Sequence, residues 1–448
     1  MFRRISFFVA CGVALTSTAF AQQLPPLPAG WPARFEIGAA DSPGGAAAMR
    51  ATAPMIFRYQ YLAGGVNTNR GWATWNTNGD FPKFYIQDSI NNGMIPVFTY
   101  YMLLQSTPAG GSESDADFGN LNNTATMTAY YNDLILFFQK AALFPSQRVV
   151  LHVEPDFWGY MEQRSGNDNA ATVSAKVSET GIAALQGLPS TAAGFARAVV
   201  KLRDTYAPNV MLAYHLSVWG TNVDIGISNP TDAQIDALGI RAANFYASLG
   251  ANFDIVFTDI ADRDAAFKQF IYGDGGITWW DAGDFQRSAR FLGKFSRTSG
   301  KRLVMWQLPL GNTRMRAQNN TWGHYQDNRV EVLLGDSART YITAYRDAGV
   351  VALLFGGGAD GVTCACDASG DGVTNPAPIG ANTIASQLAA PGTPPSQTTI
   401  GGVPTLVTPY AADDDGGYFR WAVFRYYQIG ALTLGTKPRA PTNLRIIR

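Results

Sequence analysis

Arg148-Val149-Val150-Leu151-His152-Val153-Glu154-Pro155-Asp156 is the stretch on which the fold turns. Period-two alternation puts Val150, His152 and Glu154 on one face of a strand and Val149, Leu151 and Val153 on the other. The second face is wholly apolar and suits packing against helices. His152 and Glu154 are therefore expected to point inward.

Moving outward from this strand, short β-rich runs alternate with longer helical patterns along the chain. The expected strands are Arg34–Ala40, Ile56–Leu62, Ile95–Met102, Arg148–Glu154, Val210–Ser217, Phe253–Asp259, Leu303–Leu308 and Val350–Phe355. Apolar positions at helical spacing mark Met127–Phe144, Ala192–Tyr206, Asp232–Leu249, Phe285–Phe295 and Arg339–Ala348. Gly93, Gly250, Gly300 and Gly349 each sit just past a helical pattern and before a strand, where a left-handed residue closes a helix most cheaply. Thr231 and Ser190 are placed to act as helix N-caps. Strands alternating with helices imply parallel pairing and right-handed crossovers, and eight such units fit an α/β fold, a single closed (β/α)8 barrel. The alternative, an open doubly wound sheet, usually carries G-x-G-x-x-G after an early strand, and Gly64-Gly65-Val66 does not supply it.

Composition and the N-terminus set the boundaries. The 448 residues carry 34 Lys and Arg against 34 Asp and Glu, with no electrostatic footprint for nucleic acid or an anionic membrane. Arg3-Arg4, the apolar run Ile5–Leu15 and Ala19-Phe20-Ala21 read as a secretory signal peptide cut after Ala21. The expected organisation is a signal peptide over 1–21, the barrel over 22–433 and a tail or linker over 434–448, in a secreted or periplasmic monomer. Only Cys364 and Cys366 then remain, so disulfides do not frame the fold.

Long segments follow most strands, among them Asn67–Phe81, Gln105–Asn122, Phe157–Pro189, Ile260–Asp281, Gly311–Gln326 and Gly356–Asp415. In a barrel all of them gather beyond the C-terminal strand ends, where sites are built. The polar residues at those ends are Asp41, His152, Glu154, His215, Asp259 and Gln307. Glu154, beside Phe157 and Trp158, has the setting of a general acid whose pKa burial raises. A second carboxylate is expected from Asp259, Asp262 or Asp156. Trp72, Trp75, Tyr100, Tyr101, Trp158, Trp219, Trp279, Trp280 and Trp306 cluster near the same ends, where aromatic faces suit pyranose rings. Asn312 and His324 add hydrogen-bonding groups for sugar hydroxyls.

With these residues assembled, the chain resembles the secreted (β/α)8 glycoside hydrolases, which keep an acid glutamate at the end of the fourth strand. Glu154-Pro155-Asp156 and Asp262-Arg263-Asp264 look like short runs of inverting cellobiohydrolases. The sequence departs from the many retaining members with a glutamate at the end of the seventh strand, because Gln307 stands there. The resemblance implies a glycosidase cleaving O-glycosidic bonds of a polysaccharide, with Glu154 as general acid and no required cofactor. Two alternatives stand beside it: a non-catalytic glycan-binding barrel, and a metal-dependent hydrolase using His152 and His215. Asp367-Ala368-Ser369-Gly370-Asp371 matches the start of a calcium loop and makes Asp367, Ser369 and Asp371 candidate ligands of a structural calcium.

Overall fold

The computed structural model describes residues 23–108, 110–261, 263–313, 327–356, 399–400, 403–404 and 418–435. Eight parallel strands close on one another in sequence order: β1 (Glu36–Ala40), β2 (Phe57–Leu62), β3 (Ile95–Tyr100), β4 (Val149–Val153), β5 (Val210–Leu216), β6 (Ile255–Thr258), β7 (Leu303–Leu308) and β8 (Val350–Phe355). Closure is made by β1 on β8, with Glu36 opposite Ala352 and Ile37 opposite Leu353. The (β/α)8 barrel read from the sequence is the fold.

Helices between the strands cover the outer faces of the sheet. Those used below are α1 (Glu113–Leu121), α2 (Thr124–Ala141), α3 (Phe157–Arg164), α4 (Ala192–Tyr206), α5 (Asp232–Ser248) and α6 (Tyr418–Gln428). The apolar outward face of β4 is buried throughout, and Trp158 of α3 packs on Phe195 of α4 and Tyr214 of β5. Gly93, Gly250, Gly300 and Gly349 all take positive φ, as their places before strands require. Thr231 forms a capping box with Gln234 at the start of α5. At the start of α4 the cap is Thr191 rather than Ser190, whose hydroxyl instead donates to Glu179.

Helix α6 runs along the outside of β1 and β8, with Phe419 packed on Phe355 at the C-terminal end of β8. Tyr426 and Tyr427 reach from it to the Phe35 carbonyl and the Glu36 carboxylate of β1. The chain then returns beside β1, where Leu434 N–H donates to the Ala33 carbonyl and Leu434 is buried. Among the described residues no helix is long and apolar enough to cross a membrane. The signal-peptide and calcium-loop expectations, with Cys364 and Cys366, lie outside the described residues.

Candidate active site

Inside the barrel, register decides which side chains meet. His152 of β4 lies opposite Thr99 of β3 and Ala213 of β5. His215 is two residues further along β5, one side-chain layer nearer the C-terminal rim. The two imidazoles stack with ring centroids 5.1 Å apart, and His152 Nε2 is 3.0 Å from His215 Nδ1. Behind them His152 Nδ1 is 3.4 Å from Thr99 Oγ1, and Trp306 of β7 stands edge-on to both rings. Both histidines are fully buried. Burial, with the neighbouring His215, holds the His152 imidazole well below its ordinary pKa.

At the rim the chain bends sharply where β4 ends. Glu154 has φ 43° and Asp156 has φ 65°, with Pro155 between them. Left-handed backbone at two non-glycine residues is strained, and such strain gathers at functional sites. Its effect here is to break the alternation of the strand. His152 points inward as expected, but Glu154 does not follow it.

The Glu154 carboxylate is fully buried and accepts the backbone N–H groups of Met102 at 3.2 Å and Leu103 at 3.3 Å. Its other neighbours are Tyr130 and Asp133 of α2, on the helical side of the sheet. Burial raises its pKa to about 8, against the lowering effect of those hydrogen bonds. Asp117 of α1, pushed up to about 9 by burial and by Glu154, and Asp133, pushed up to about 6, share this interior. Glu154 therefore corrects the sequence expectation: it is a sealed structural carboxyl that does not line the cleft.

Asp156 takes the place expected of Glu154. Its side chain is about one-third exposed, and Oδ1 lies 4.0 Å from His215 Nε2. Asp259, immediately after β6 and on its inward parity, brings Oδ1 to 3.4 Å from the same nitrogen. One atom from each of Asp156, His215 and Asp259 lies within 4.8 Å of the others. Asp156 and Asp259 line a cleft of about 250 Å3, whose walls also include Glu113, Tyr160, Trp219, Asp224, Lys268 and Thr278, and His215 lies buried behind them. Tyr160 and Trp219 form an aromatic pair with ring centroids 4.8 Å apart. Gly159 allows this approach, because a Cβ there would meet Ser217 at 2.6 Å and Trp219 at 2.8 Å.

Several sequence candidates have other duties. Trp72 is buried against Phe137 and donates to Asp133, Tyr100 also reaches Asp133, and Trp158 donates to the Val153 carbonyl. Trp279 bonds Gln269, and Trp280 bonds the Gly226 carbonyl under the Arg329 guanidinium. Asp41 pairs with buried Arg58 at 2.7 Å, Trp75 stands exposed against Phe81, and buried Asn312 does not line the cleft. Tyr101 donates to Glu113 of the cleft wall, and Gln307, at φ 56°, accepts from Tyr61. Asp262, His324, Asp367, Ser369 and Asp371 lie outside the described residues.

Reading polar residues at strand ends missed Glu113, Tyr160, Asp224 and Lys268, which sit on inserted helices and loops. Ser112, which caps α1 through Asp115 N–H, was the one local signal that fixes Glu113 on a helix start.

No protein-family model and no curated protein matches the chain. Among solved structures it is similar to the GH53 catalytic domain of Ignisphaera aggregans, at 9% identity over 74% of this chain and 87% of that one, TM-score 0.42. It is similar as well to the intracellular xylanase of Thermoanaerobacterium saccharolyticum, at 10% identity over 75% and 89%, TM-score 0.40. Morphinone reductase matches at 11% identity over 75% and 87%, TM-score 0.38. Glycosidases thus stand among the neighbours beside a reductase, and the barrel itself rests on this chain's own strand pairing.

Proposed function

We propose that the chain is an exported glycoside hydrolase that cleaves O-glycosidic bonds of a polysaccharide in the cleft above β4, β5 and β6. The observation that carries this reading is the convergence of Asp156 and Asp259 on one side of an open, aromatic-walled cleft. Glycoside hydrolysis needs one carboxyl to protonate the leaving oxygen and a second to act on the anomeric carbon. Asp156, the more exposed of the two, is the proton donor in this reading. Asp259, nine-tenths buried, is the partner.

Their nearest oxygens lie within 4.8 Å, which is close to the ~5–5.5 Å carboxyl separation of direct attack and short of the ~6.5–9.5 Å that leaves room for a water. In the resulting sequence Asp156 gives its proton to the glycosidic oxygen as that C–O bond breaks, and Asp259 bonds to the anomeric carbon. Water, deprotonated by Asp156, then releases the sugar with retained configuration and restores both groups. Tyr160 and Trp219 supply faces on which a pyranose ring rests.

The test is a screen of the purified chain against a panel of polysaccharides, with NMR of the first anomer released. The expected product keeps the configuration of the cleaved bond. An inverted product removes the direct-attack assignment, and no product from any polymer removes the glycosidase reading.

A further inference from the structure

We propose that Asp156, His215 and Asp259 form a divalent-cation site of zinc type, and that an ion held there switches off hydrolysis in the cleft. The switch rests on the function proposed above, whereas the site rests on geometry alone. Ligands about 2.0–2.1 Å from a tetrahedral ion stand roughly 3.3 Å from one another. His215 Nε2 and Asp259 Oδ1, 3.4 Å apart, already have that spacing. Asp156 Oδ1, at 4.0 Å from the nitrogen, comes into range by rotation of a partly exposed side chain.

A second observation points to a ligand. His215 is fully buried, yet among the described residues its Nε2 makes no hydrogen bond, and Asp259 Oδ1 makes none either. Two buried polar atoms that face each other at 3.4 Å without a hydrogen bond cost free energy that a shared cation recovers. The far side of the ring is already prepared. His215 Nδ1–H can donate to His152 Nε2, and His152 Nδ1–H to Thr99 Oγ1, which leaves the Nε2 lone pair of His215 directed at Asp259 and Asp156. An outer partner of this kind fixes tautomer and ring orientation in metal-bound histidines. One imidazole and two carboxylates suit zinc, cobalt and manganese, and the cleft leaves room for water at the remaining positions. Glu113 and Asp224 on the same walls, against Lys268, add a field that favours a cation. A bound ion occupies the lone pairs of Asp156 and Asp259, so neither carboxyl can serve a glycosidic bond.

Zinc added to the metal-free full-length protein is followed by calorimetry, and cobalt by its visible spectrum. One ion per chain is expected, with affinity lowered at least 10-fold in His215→Gln, Asp259→Asn and Asp156→Asn; the last alters a partly exposed side chain and tests the site if the buried variants do not fold. Sugar release is expected to fall along the same zinc isotherm and to return with a chelator. No saturable binding, or binding that all three variants leave unchanged, overturns the site. Activity that rises with zinc overturns the switch. Hydrolysis without zinc binding sinks this inference and leaves the glycosidase standing; zinc binding without hydrolysis of any polysaccharide sinks the glycosidase and the switch together.

Discussion

Two groups of carboxyls lie on opposite sides of the barrel wall at β4, and their difference separates chemistry from architecture. Behind β3 and β4, Glu154, Asp117 and Asp133 sit among Tyr100, Tyr130 and Trp72; backbone N–H groups hold buried Glu154, and the Tyr100 hydroxyl and Trp72 indole N–H hold the partly buried Asp133. In front of β4 and β6, Asp156 and Asp259 line the cleft and meet at the buried His215. Glu154 and Asp156 are two residues apart in sequence and belong to different groups. A raised pKa alone does not identify a catalytic acid: Asp117 and Glu154 of this group, like buried Glu162 of α3, are pushed up strongly, and burial is the first cause of each.

The sharpest way to break the comparison is to neutralise one acid from each side. Asp156→Asn is expected to lower kcat about 10²–10⁴-fold, the range for loss of a general acid. Glu154→Gln should stay within a few-fold of the parent, because its amide oxygen still accepts the Met102 and Leu103 N–H groups. The reverse order of effects, read from initial rates on the substrate found by the screen, would return the acid role to Glu154 and undo the site assignment.

Stability should show the opposite ranking. Glu154→Ala leaves two buried backbone donors unpaired and opens a void, and is expected to cost about 2–4 kcal/mol in chemical denaturation. Asp156→Asn, at a strained and partly exposed position, should change stability by less than about 1 kcal/mol. Equal costs at the two positions would show that the sealed group is no more structural than the cleft.

The sealed group, together with buried Glu162 of α3, also sets a pH dependence. Glu154 and Glu162 are raised to about 8 and Asp117 to about 9, chiefly by burial. Carboxyls with raised native pKa bind protons that the unfolded chain has already released. Their stabilisation is complete below the ordinary carboxyl pKa of about 4 and is lost as pH rises toward 8–9. The Tm of the protein should therefore fall between pH 5 and pH 9, and less steeply in Glu154→Gln. A Tm that rises over that interval would contradict the sealed assignment.

How much of this was legible in the sequence follows from which forces act locally. The eight strands and their closure were readable, because apolar alternation and glycine at helix ends act over a few residues. His152, His215 and Asp259 were readable as inward groups, since each obeys the parity of its strand. Glu154 was not, because parity holds only while the backbone stays extended, and φ values of 43° and 65° around Pro155 end it. Trp72 and Trp158 lie near strand ends in sequence yet pack outside the sheet, and only tertiary packing decides on which side of a strand a ring falls. Glu113, Tyr160 and Lys268 reach the cleft from inserted segments whose direction no periodicity encodes.

The smallest effect probes the aromatic residues in the same spirit. Trp219 stands half-buried on the cleft wall against Tyr160, while Trp75 is 43% exposed against Phe81 and donates to the Arg70 carbonyl away from it. Sequence position gave both the same reading, a platform for a sugar ring. If stacking in the cleft contributes about 1 kcal/mol, Trp219→Ala should raise KM roughly 5-fold with kcat little altered. Trp75→Ala should leave both constants as they were. Equal rises in KM would place a sugar subsite at Trp75 as well and extend the binding surface from β5 round to β2. A fall in kcat at Trp219 would mean that its ring also holds Asp156 in place through Gly159, since a Cβ at that glycine meets the indole at 2.8 Å.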